Sequence, residues 1–251
     1  MPSLIDTAFD FRSDSKGGDP DSASPMLRKY HKILWNKRLP NGDMFSLSDS
    51  MDADDKALCY HNGSVKMRFS SDWIINTYLD WERLAELKNL IGEDEYENFN
   101  TIACTMGGYI IFPLYPWGTS WPKYIETINV ERGKSNGKIN DRFDLTLECI
   151  RRFYAGVESP LADVITKFDY FFQLFGSFKN YCEFFLLQDL VSDNYSKVKN
   201  FMPPADIEFN DNPHPKTVDE YRLYEKNAVE FVNNRNKRIN EYCNKYGQVA
   251  E

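Results

Sequence analysis

The spacing of apolar residues gives the second half of the chain a helical pattern. Between residues 139 and 154, apolar side chains recur at intervals of three and four and leave only a narrow polar stripe. A very apolar helix is predicted over residues 178–191. A long final helix is predicted from Thr217 to Tyr246, with Arg235 on its apolar face. These patterns predict a predominantly helical half.

The first half has a mixed pattern of short strands and helices. Asn62-Gly63 lies between two alternating runs, and such a pair favours the tight turn of a β-hairpin. Helical spacing predicts a helix over residues 72–91. The runs 101–112 and 123–132 read as strands. Two glycines at 107 and 108 indicate a bulge or a close backbone approach.

Together the patterns predict an α+β fold, with a small, mainly antiparallel sheet packed on helices. The polar residues 1–25 are expected to lie along the body as an extended arm, without helix or strand. No internal repeat or convincing boundary divides the chain, so we predict a single domain over residues 1–251. Its parts are a mixed α/β half at 26–132 and a helical half at 139–251.

Composition and charge narrow the class of protein. Aromatic residues make up 15% of the 251 residues, which favours a packed globule over a disordered chain. The formal net charge of −8 argues against a general nucleic-acid coat protein, because such proteins are usually basic. No window approaches roughly 18 uninterrupted apolar residues, so no membrane contact is expected.

The cysteines and the N-terminus indicate a compartment. The five cysteines include no C-x-x-C pair, and several lie in apolar runs, which is typical of free buried thiols in a reducing cytosol. The first residues lack the basic and apolar regions of a signal peptide. We therefore predict a cytoplasmic protein.

The common catalytic and cofactor motifs are absent from the sequence. It contains no phosphate-binding loop, no dinucleotide fingerprint, no nucleophile elbow and no zinc-binding spacing. The three histidines, His31, His61 and His214, are interpreted as structural or surface residues. The sequence therefore predicts no metal site from histidine or cysteine, and it leaves the cofactor unknown.

The polar stripe of the helix at 139–154 is the first candidate site. Its carboxylates, Asp141, Asp144 and Glu148, follow one another at three- and four-residue intervals, which places them on one helical face. Such a group could supply an acid and a base, or hold Mg²⁺ through two carboxylates and water. The alternative is an ion-pair ladder between these carboxylates and Arg151 and Arg152.

A basic patch near the start of the same helix is the second candidate. A helix start attracts anions such as phosphate. The aromatic loop at 115–121 could stack a nucleotide base, or it could cover the sheet edge or bind a partner protein. Against a phosphate site, Asp141 and Asp144 already satisfy the helix dipole. The cations considered for phosphate binding are Arg132, Arg142, Arg151 and Arg152, with Lys134 and Lys138 in the preceding loop.

Several runs resemble a family of uncharacterised bacterial proteins, a domain of unknown function, over most of the chain. The resemblance implies a bacterial cytosolic origin and a single domain, and it carries no activity, cofactor or catalytic residue. The runs that carry it are F-D-F-R-S-D at 9–14, D-P-D-S-x-S-P at 19–25, Y-H-K-I-L-W at 30–35, L-P-N-G at 39–42, D-R-F-D-L-T-L-E-C-I-R-R at 141–152 and F-F-L-L-Q-D-L-V at 184–191.

Two functions follow from these observations. The favoured one is a binding or regulatory module that contacts a protein partner through the aromatic loop or the 141–152 stripe. The alternative is an enzyme that acts on a nucleotide or nucleic acid, metal-dependent or related to defence or toxicity, and uses the charged stretch 132–152. They are distinguished by whether the stripe lines a concave pocket or is used for internal salt bridges.

Overall fold

The computed structural model describes residues 4–50, 57–62, 65–77, 85–114, 126–134, 137–204 and 206–246. The predicted α+β fold is confirmed, since the strands of the described part lie in the first half and helices dominate the second. The strands are β1 Lys37–Arg38, β2 Met44–Phe45, β3 Leu47–Asp49, β4 Leu58–Asn62, β5 Val65–Trp73 and β6 Tyr109–Pro113. The helices are α1 Pro20–Ala23, α2 Pro25–Leu34, α3 Ala85–Ile91, α4 Glu93–Ala103, α5 Ile128–Arg132, α6 Phe143–Tyr154, α7 Ala162–Lys167, α8 Asp169–Phe172, α9 Phe178–Phe184 and α10 Val218–Tyr246.

The main sheet is antiparallel, in the order β3-β4-β5-β6, and β1 and β2 form a separate antiparallel pair. The predicted pairing of the strands on either side of Asn62-Gly63 is confirmed, with Leu58 opposite Phe69 and Asn62 opposite Val65. Gly63 itself lies outside the described residues. The long strand β5 lies at the centre, because it pairs with β4 on one side and with β6 on the other.

The predicted long C-terminal helix is confirmed as α10. Thr217 caps it, since its hydroxyl accepts the backbone N–H of Glu220 (3.2 Å). Its predicted apolar face is buried, and this face includes the fully buried Arg235. The Arg235 guanidinium donates to the backbone carbonyls of Gly107, Tyr109 and Phe185. A charged residue on an apolar face thus joins α10 to β6 and to the end of α9.

The prediction of a strand over residues 101–112 is wrong in its first part. Helix α4 continues to Ala103, and a 3₁₀ turn at Met106–Gly108 precedes β6. The close backbone approach at the two glycines is confirmed. A Cβ atom on Gly107 would lie 2.5 Å from the carbonyl oxygen of Val232, and one on Gly108 would lie 1.8 Å from that of Ala103.

The predicted strand at 123–132 is also wrong, because its described part contains the short helix α5. The hydroxyl of Thr127 accepts the N–H of Val130 (3.2 Å) and begins the helix. In a strand, Ile128 and Val130 would lie on the same face, whereas in α5 Ile128 is buried and Val130 is exposed. Residues 123–125 lie outside the described residues.

The predicted helix over residues 72–91 begins later than expected. Asp72 and Trp73 belong to β5, where Trp73 pairs with Tyr109, and residues 78–84 lie outside the described part. Helix α3 confirms the predicted end at Ile91. Tertiary pairing with β6 extends the strand into a segment whose apolar spacing is helical.

Two further segments differ from expectation. The N-terminal arm contains the 3₁₀ helix Phe11–Asp14 and the short helix α1, each capped by an aspartate side chain, so it is not purely extended. The helix predicted over residues 178–191 ends at Phe184. Leu186 then adopts a positive φ of 55°, and a separate 3₁₀ turn follows at Gln188–Leu190.

The buried apolar residues form one contiguous cluster that draws on both halves of the chain. Aromatic rings dominate the region where α2, β2 and α9 meet. Trp35 lies 6.1 Å from Phe184 and 5.0 Å from Phe185, measured between ring centroids, and Phe45 lies 5.4 Å from Phe184. This aromatic packing supports the candidate functional site, because Phe184 belongs to both.

Candidate functional site

The helix that carries the predicted stripe begins at Phe143, four residues later than expected. Asn140 and Asp141 precede it with positive φ angles of 49° and 59°. The chain turns back here, so the backbone N–H of Asp141 donates to the carbonyl of Arg132 (2.8 Å). Asp141 therefore lies beside Arg132 in the loop, and only Asp144 and Glu148 of the three carboxylates lie on α6.

Asp144 and Arg142 form a buried ion pair at the start of α6. Nε of Arg142 donates to Oδ1 of Asp144 (3.1 Å), and Nη2 donates to Oδ2. The carboxylate also accepts the backbone N–H of Phe201 (2.8 Å). Arg142 donates further to the carbonyl of Pro213 (3.1 Å) and to Asn200. The pair thus ties α6 to the segment that precedes α10.

Arg132 is fully buried and also has internal partners. Its Nη1 donates to Asp72 (2.7 Å) and lies 3.5 Å from a carboxylate oxygen of Asp141. Its Nη2 donates to the backbone carbonyl of Asp141 (2.6 Å). Its Nε donates to the hydroxyl of Thr146 (3.2 Å). Arg132 therefore joins the end of β5 to the first turn of α6.

Glu148 accepts hydrogen bonds from the other two arginines of the stripe. Arg151 donates from Nε (2.7 Å) and Nη2 (2.8 Å), and Arg152 donates from Nε (2.9 Å). Burial alone would raise the pKa of Glu148, but these hydrogen bonds bring it below its ordinary value. The ladder proposed as the alternative from the sequence is thus present at this end of the stripe.

The charged groups of the stripe are therefore engaged in internal ion pairs. Within the described ranges, no group of three or more histidine, cysteine, aspartate or glutamate residues is placed to hold a metal ion. The two functions are distinguished by whether the stripe lines a concave pocket or forms internal salt bridges. Arg132, Arg142 and Asp144 form internal salt bridges. Arg152 differs from these three, because part of its side chain faces a cavity.

This basic cavity, of about 540 Å³, lies where the loop before α6 meets the end of that helix. Lys134, Lys138 and Arg152 line it together with Glu131 and Glu158. The guanidinium of Arg152 also stacks on the ring of Phe209, 4.7 Å from its centroid. The structure thus brings Lys134 and Lys138 to Arg152, and it places Arg132 and Arg142 in the buried network instead. The aromatic loop 115–121 lies outside the described residues.

A larger groove, of about 990 Å³, lies between the β1–β2 pair, the end of α9 and the C-terminal end of α10. We call it the Lys37 groove. Met44 and Tyr246 line this groove as exposed apolar residues, with 47% and 48% of their surface accessible to solvent. Its lining includes Lys37, Arg38, Met44, Glu183, Phe184, Gln188, Tyr242 and Tyr246.

The ammonium group of Lys37 is surrounded by aromatic rings. It lies 4.5 Å from the ring centroid of Phe184, 4.7 Å from that of Tyr242 and 5.0 Å from that of Trp35. It donates a hydrogen bond to the backbone carbonyl of Phe184. Among the described residues, no carboxylate forms an ion pair with Lys37. The aromatic faces and one carbonyl are thus the groups that contact the ammonium.

This environment lowers the pKa of Lys37 to about 7. Burial is the main cause, because removing the ammonium from water disfavours its charged form. The positive charge of Arg235 lowers the pKa further, and Cys243 opposes the shift. Near pH 7, Lys37 is thus divided between the ammonium and the neutral amine. Its side chain is partly exposed and lines the groove.

The polar groups around Lys37 are few. Arg38 is exposed and donates to the backbone carbonyl of Gly42 (2.9 Å). Glu183 accepts the hydroxyl of Tyr195 (3.1 Å). Oε1 of Gln188 is buried and has no hydrogen-bond partner within the described part of the chain. The groove therefore offers two cations, one unsatisfied acceptor and the carboxylate of Glu183 between apolar edges.

Residues 5–239 match the family of unknown function DUF6994, which is nearly the whole chain. The chain belongs to this family. The family resemblance seen in the sequence is therefore confirmed, and DUF6994 carries no assigned activity. No curated protein and no solved structure matches the chain. Among the described residues of this DUF6994 member, no helix is long and apolar enough to cross a membrane.

His31 is a buried structural residue. Its Nδ1 accepts the indole N–H of Trp35 (2.9 Å), so Nε2 carries the proton and donates to the hydroxyl of Ser71 (2.9 Å). Burial lowers its pKa to about 3 and keeps it neutral. In this tautomer Nε2 has no lone pair with which to take the Ser71 proton. The pair is therefore not a serine–base dyad.

Sequence reasoning missed the Lys37 groove. The local signal is weak, since Trp35, Lys37 and Arg38 form a short aromatic and basic run that matches no motif. The hydrogen bond from Lys37 to Phe184 spans 147 residues, so no spacing rule connects these groups. The environment that lowers the pKa of Lys37 arises only after folding.

Proposed function

We propose that this DUF6994 protein is a binding module that takes an acidic segment of a partner protein into the Lys37 groove. The observation that supports this most strongly is the position of Lys37, a partly exposed cation without an ion-paired carboxylate among the described residues. A carboxylate from a partner supplies the missing counterion. The desolvated surroundings strengthen that contact relative to an exposed salt bridge.

The shape and surface of the groove support a peptide segment as the ligand. Its volume of about 990 Å³ reaches the upper end of the range typical for small-molecule sites, roughly 300–1,000 Å³. The exposed apolar side chains of Met44 and Tyr246 provide contact area. Aromatic and methionine residues are enriched in protein interfaces. A short segment with one or two acidic residues between apolar ones complements this surface.

Selection from a displayed peptide library on the full-length wild-type protein tests the proposal. We expect the enriched peptides to contain aspartate or glutamate. Replacement of those residues by asparagine or glutamine should weaken binding at least tenfold in fluorescence anisotropy. Lys37→Met should weaken binding by a similar factor, since loss of a desolvated charge pair typically costs about 2–5 kcal/mol.

Lys138→Met is the matched control, because it removes a lysine from the separate basic cavity and leaves the Lys37 groove intact. Both variants are first compared with the wild type by thermal unfolding. Enriched peptides without acidic residues, or acidic peptides that bind Lys37→Met as tightly as the wild type, would refute the proposal.

A second candidate function places a nucleotide or another phosphate ligand in the basic cavity. The supporting observation is that Lys134, Lys138 and Arg152 share this cavity with the ring of Phe209. Stabilisation of the wild type by ATP that is lost in Lys138→Met and kept in Lys37→Met would favour this candidate. The proposed catalytic roles of Asp141, Asp144 and Glu148 require these groups to leave their present ion pairs.

We further infer a bacterial, cytoplasmic setting. The five cysteines support the compartment, because all are buried free thiols that a reducing environment preserves. A fractionation experiment that found the native protein in an oxidising compartment would contradict this inference.

A further inference from the structure

We propose that Lys37 is also a reactive amine, and that the Lys37 groove binds aldehydes or ketones carrying a carboxylate and condenses them with Lys37 to an imine. This inference goes beyond the proposed binding of an acidic segment, which requires only the charge of Lys37. It concerns the nucleophilic nitrogen of the same side chain.

The position of the amine supports this chemistry. A nucleophilic lysine needs access to a cavity, freedom from a carboxylate that would hold it protonated, and surroundings that favour the neutral form. Lys37 lines a cavity of about 990 Å³ and has no carboxylate ion pair among the described residues. Burial and the charge of Arg235 lower its pKa to about 7, which leaves about half of the amine neutral at pH 7.

The rest of the groove suits a carbonyl compound with an acidic group. Arg38 is the neighbouring cation in the lining and provides a partner for the carboxylate. The rings of Phe184 and Tyr242 limit water around the amine.

The condensation requires no additional oxidant or reductant. The lone pair of the neutral Lys37 nitrogen attacks the carbonyl carbon and forms a C–N bond, while the π electrons move to oxygen. The nitrogen loses two protons and the oxygen gains two. The oxygen then leaves as water, and the nitrogen remains doubly bonded to carbon. One amine and one carbonyl compound therefore give one imine and one water.

Reductive trapping tests the proposal on the full-length wild-type protein. The protein is incubated with glyoxylate and sodium cyanoborohydride, and the modified lysines are located by peptide mass spectrometry. We expect Lys37 to be labelled at least tenfold faster than the exposed Lys216 and Lys226. An ordinary lysine, with a pKa of about 10.4, has roughly a thousandfold less neutral amine at pH 7.

The pH dependence of labelling provides a second readout that needs no variant. The rate at Lys37 should rise through pH 7 and then level off, whereas the rates at Lys216 and Lys226 should continue to rise toward pH 10. Labelling of Lys37 that is no faster than at these two lysines would overturn the proposal, and would identify Lys37 as a purely structural cation packed against aromatic rings.

Lys37→Arg separates this inference from the proposed peptide binding. Arginine keeps the positive charge, so this variant should retain binding of the selected acidic peptides. It has no nucleophilic amine, so labelling at position 37 should be lost. Peptide binding without fast labelling of the wild type would refute the imine chemistry alone. Fast labelling without peptide binding would refute the binding module alone.

Discussion

At the scale of single residues, Lys37 and the Arg142–Asp144 pair hold their charges in different surroundings. Arg142 and Asp144 neutralise each other within a hydrogen-bonded pair. Lys37 has only aromatic faces and a carbonyl, and its pKa falls accordingly. The Arg142–Asp144 pair is satisfied inside the fold, whereas Lys37 lines a groove where a ligand can reach it.

This distinction predicts that Asp144→Ala destabilises the protein by about 3–5 kcal/mol, because Arg142 remains buried without its counterion. Urea denaturation measures the effect. The control is Asp163→Ala, which removes an exposed carboxylate of α7 and should change the free energy of unfolding by less than about 0.5 kcal/mol. If Asp144→Ala changes the free energy of unfolding as little as the control does, the Arg142–Asp144 pair does not stabilise the fold.

At the scale of elements, the sequence predicts those segments whose pattern agrees with their tertiary setting. Helix α10 and the β4–β5 hairpin follow from spacing, the Thr217 cap and the Asn-Gly pair. The errors arise where contacts distant in sequence decide the structure. Trp73 pairs with Tyr109 and extends β5, and the glycine pair at 107–108 serves a close approach before the strand.

The glycine contact yields a prediction for the junction between α4 and β6. Gly108→Ala would place Cβ 1.8 Å from the carbonyl oxygen of Ala103, so the backbone must move. We expect the free energy of unfolding to fall by at least about 1 kcal/mol, since overpacking usually costs about 1–3 kcal/mol. Gly18→Ala, whose Cβ would lie 3.1 Å from its nearest neighbour, is the milder control. Equal thermal stability of the two variants would contradict the close packing described for this junction.

At the scale of the whole molecule, the candidate site combines three distant parts of the chain. The segment 35–38, the end of α9 and the last turns of α10 meet only in the folded protein. The sequence predicted the helix of the stripe and offered the ion pairs of its final turns as an alternative to a site, but it could not predict the groove. Arg235 contributes to both the fold and the groove, because it fixes α10 and also lowers the pKa of Lys37.

The most direct test of the account is an NMR titration of the wild-type protein labelled with ¹³C at lysine Cε. We expect one lysine to titrate with a midpoint near pH 7, and its resonance should be missing in Lys37→Met. Folding lowers the pKa of Lys37 from 10.5 to about 7, so between pH 7 and pH 10.5 the unfolded chain binds more protons than the folded one. The contribution of Lys37 to the free energy of unfolding therefore increases as pH rises through this range. If every lysine titrates near pH 10, Lys37 is an ordinary cation, and the central claim for this groove is wrong.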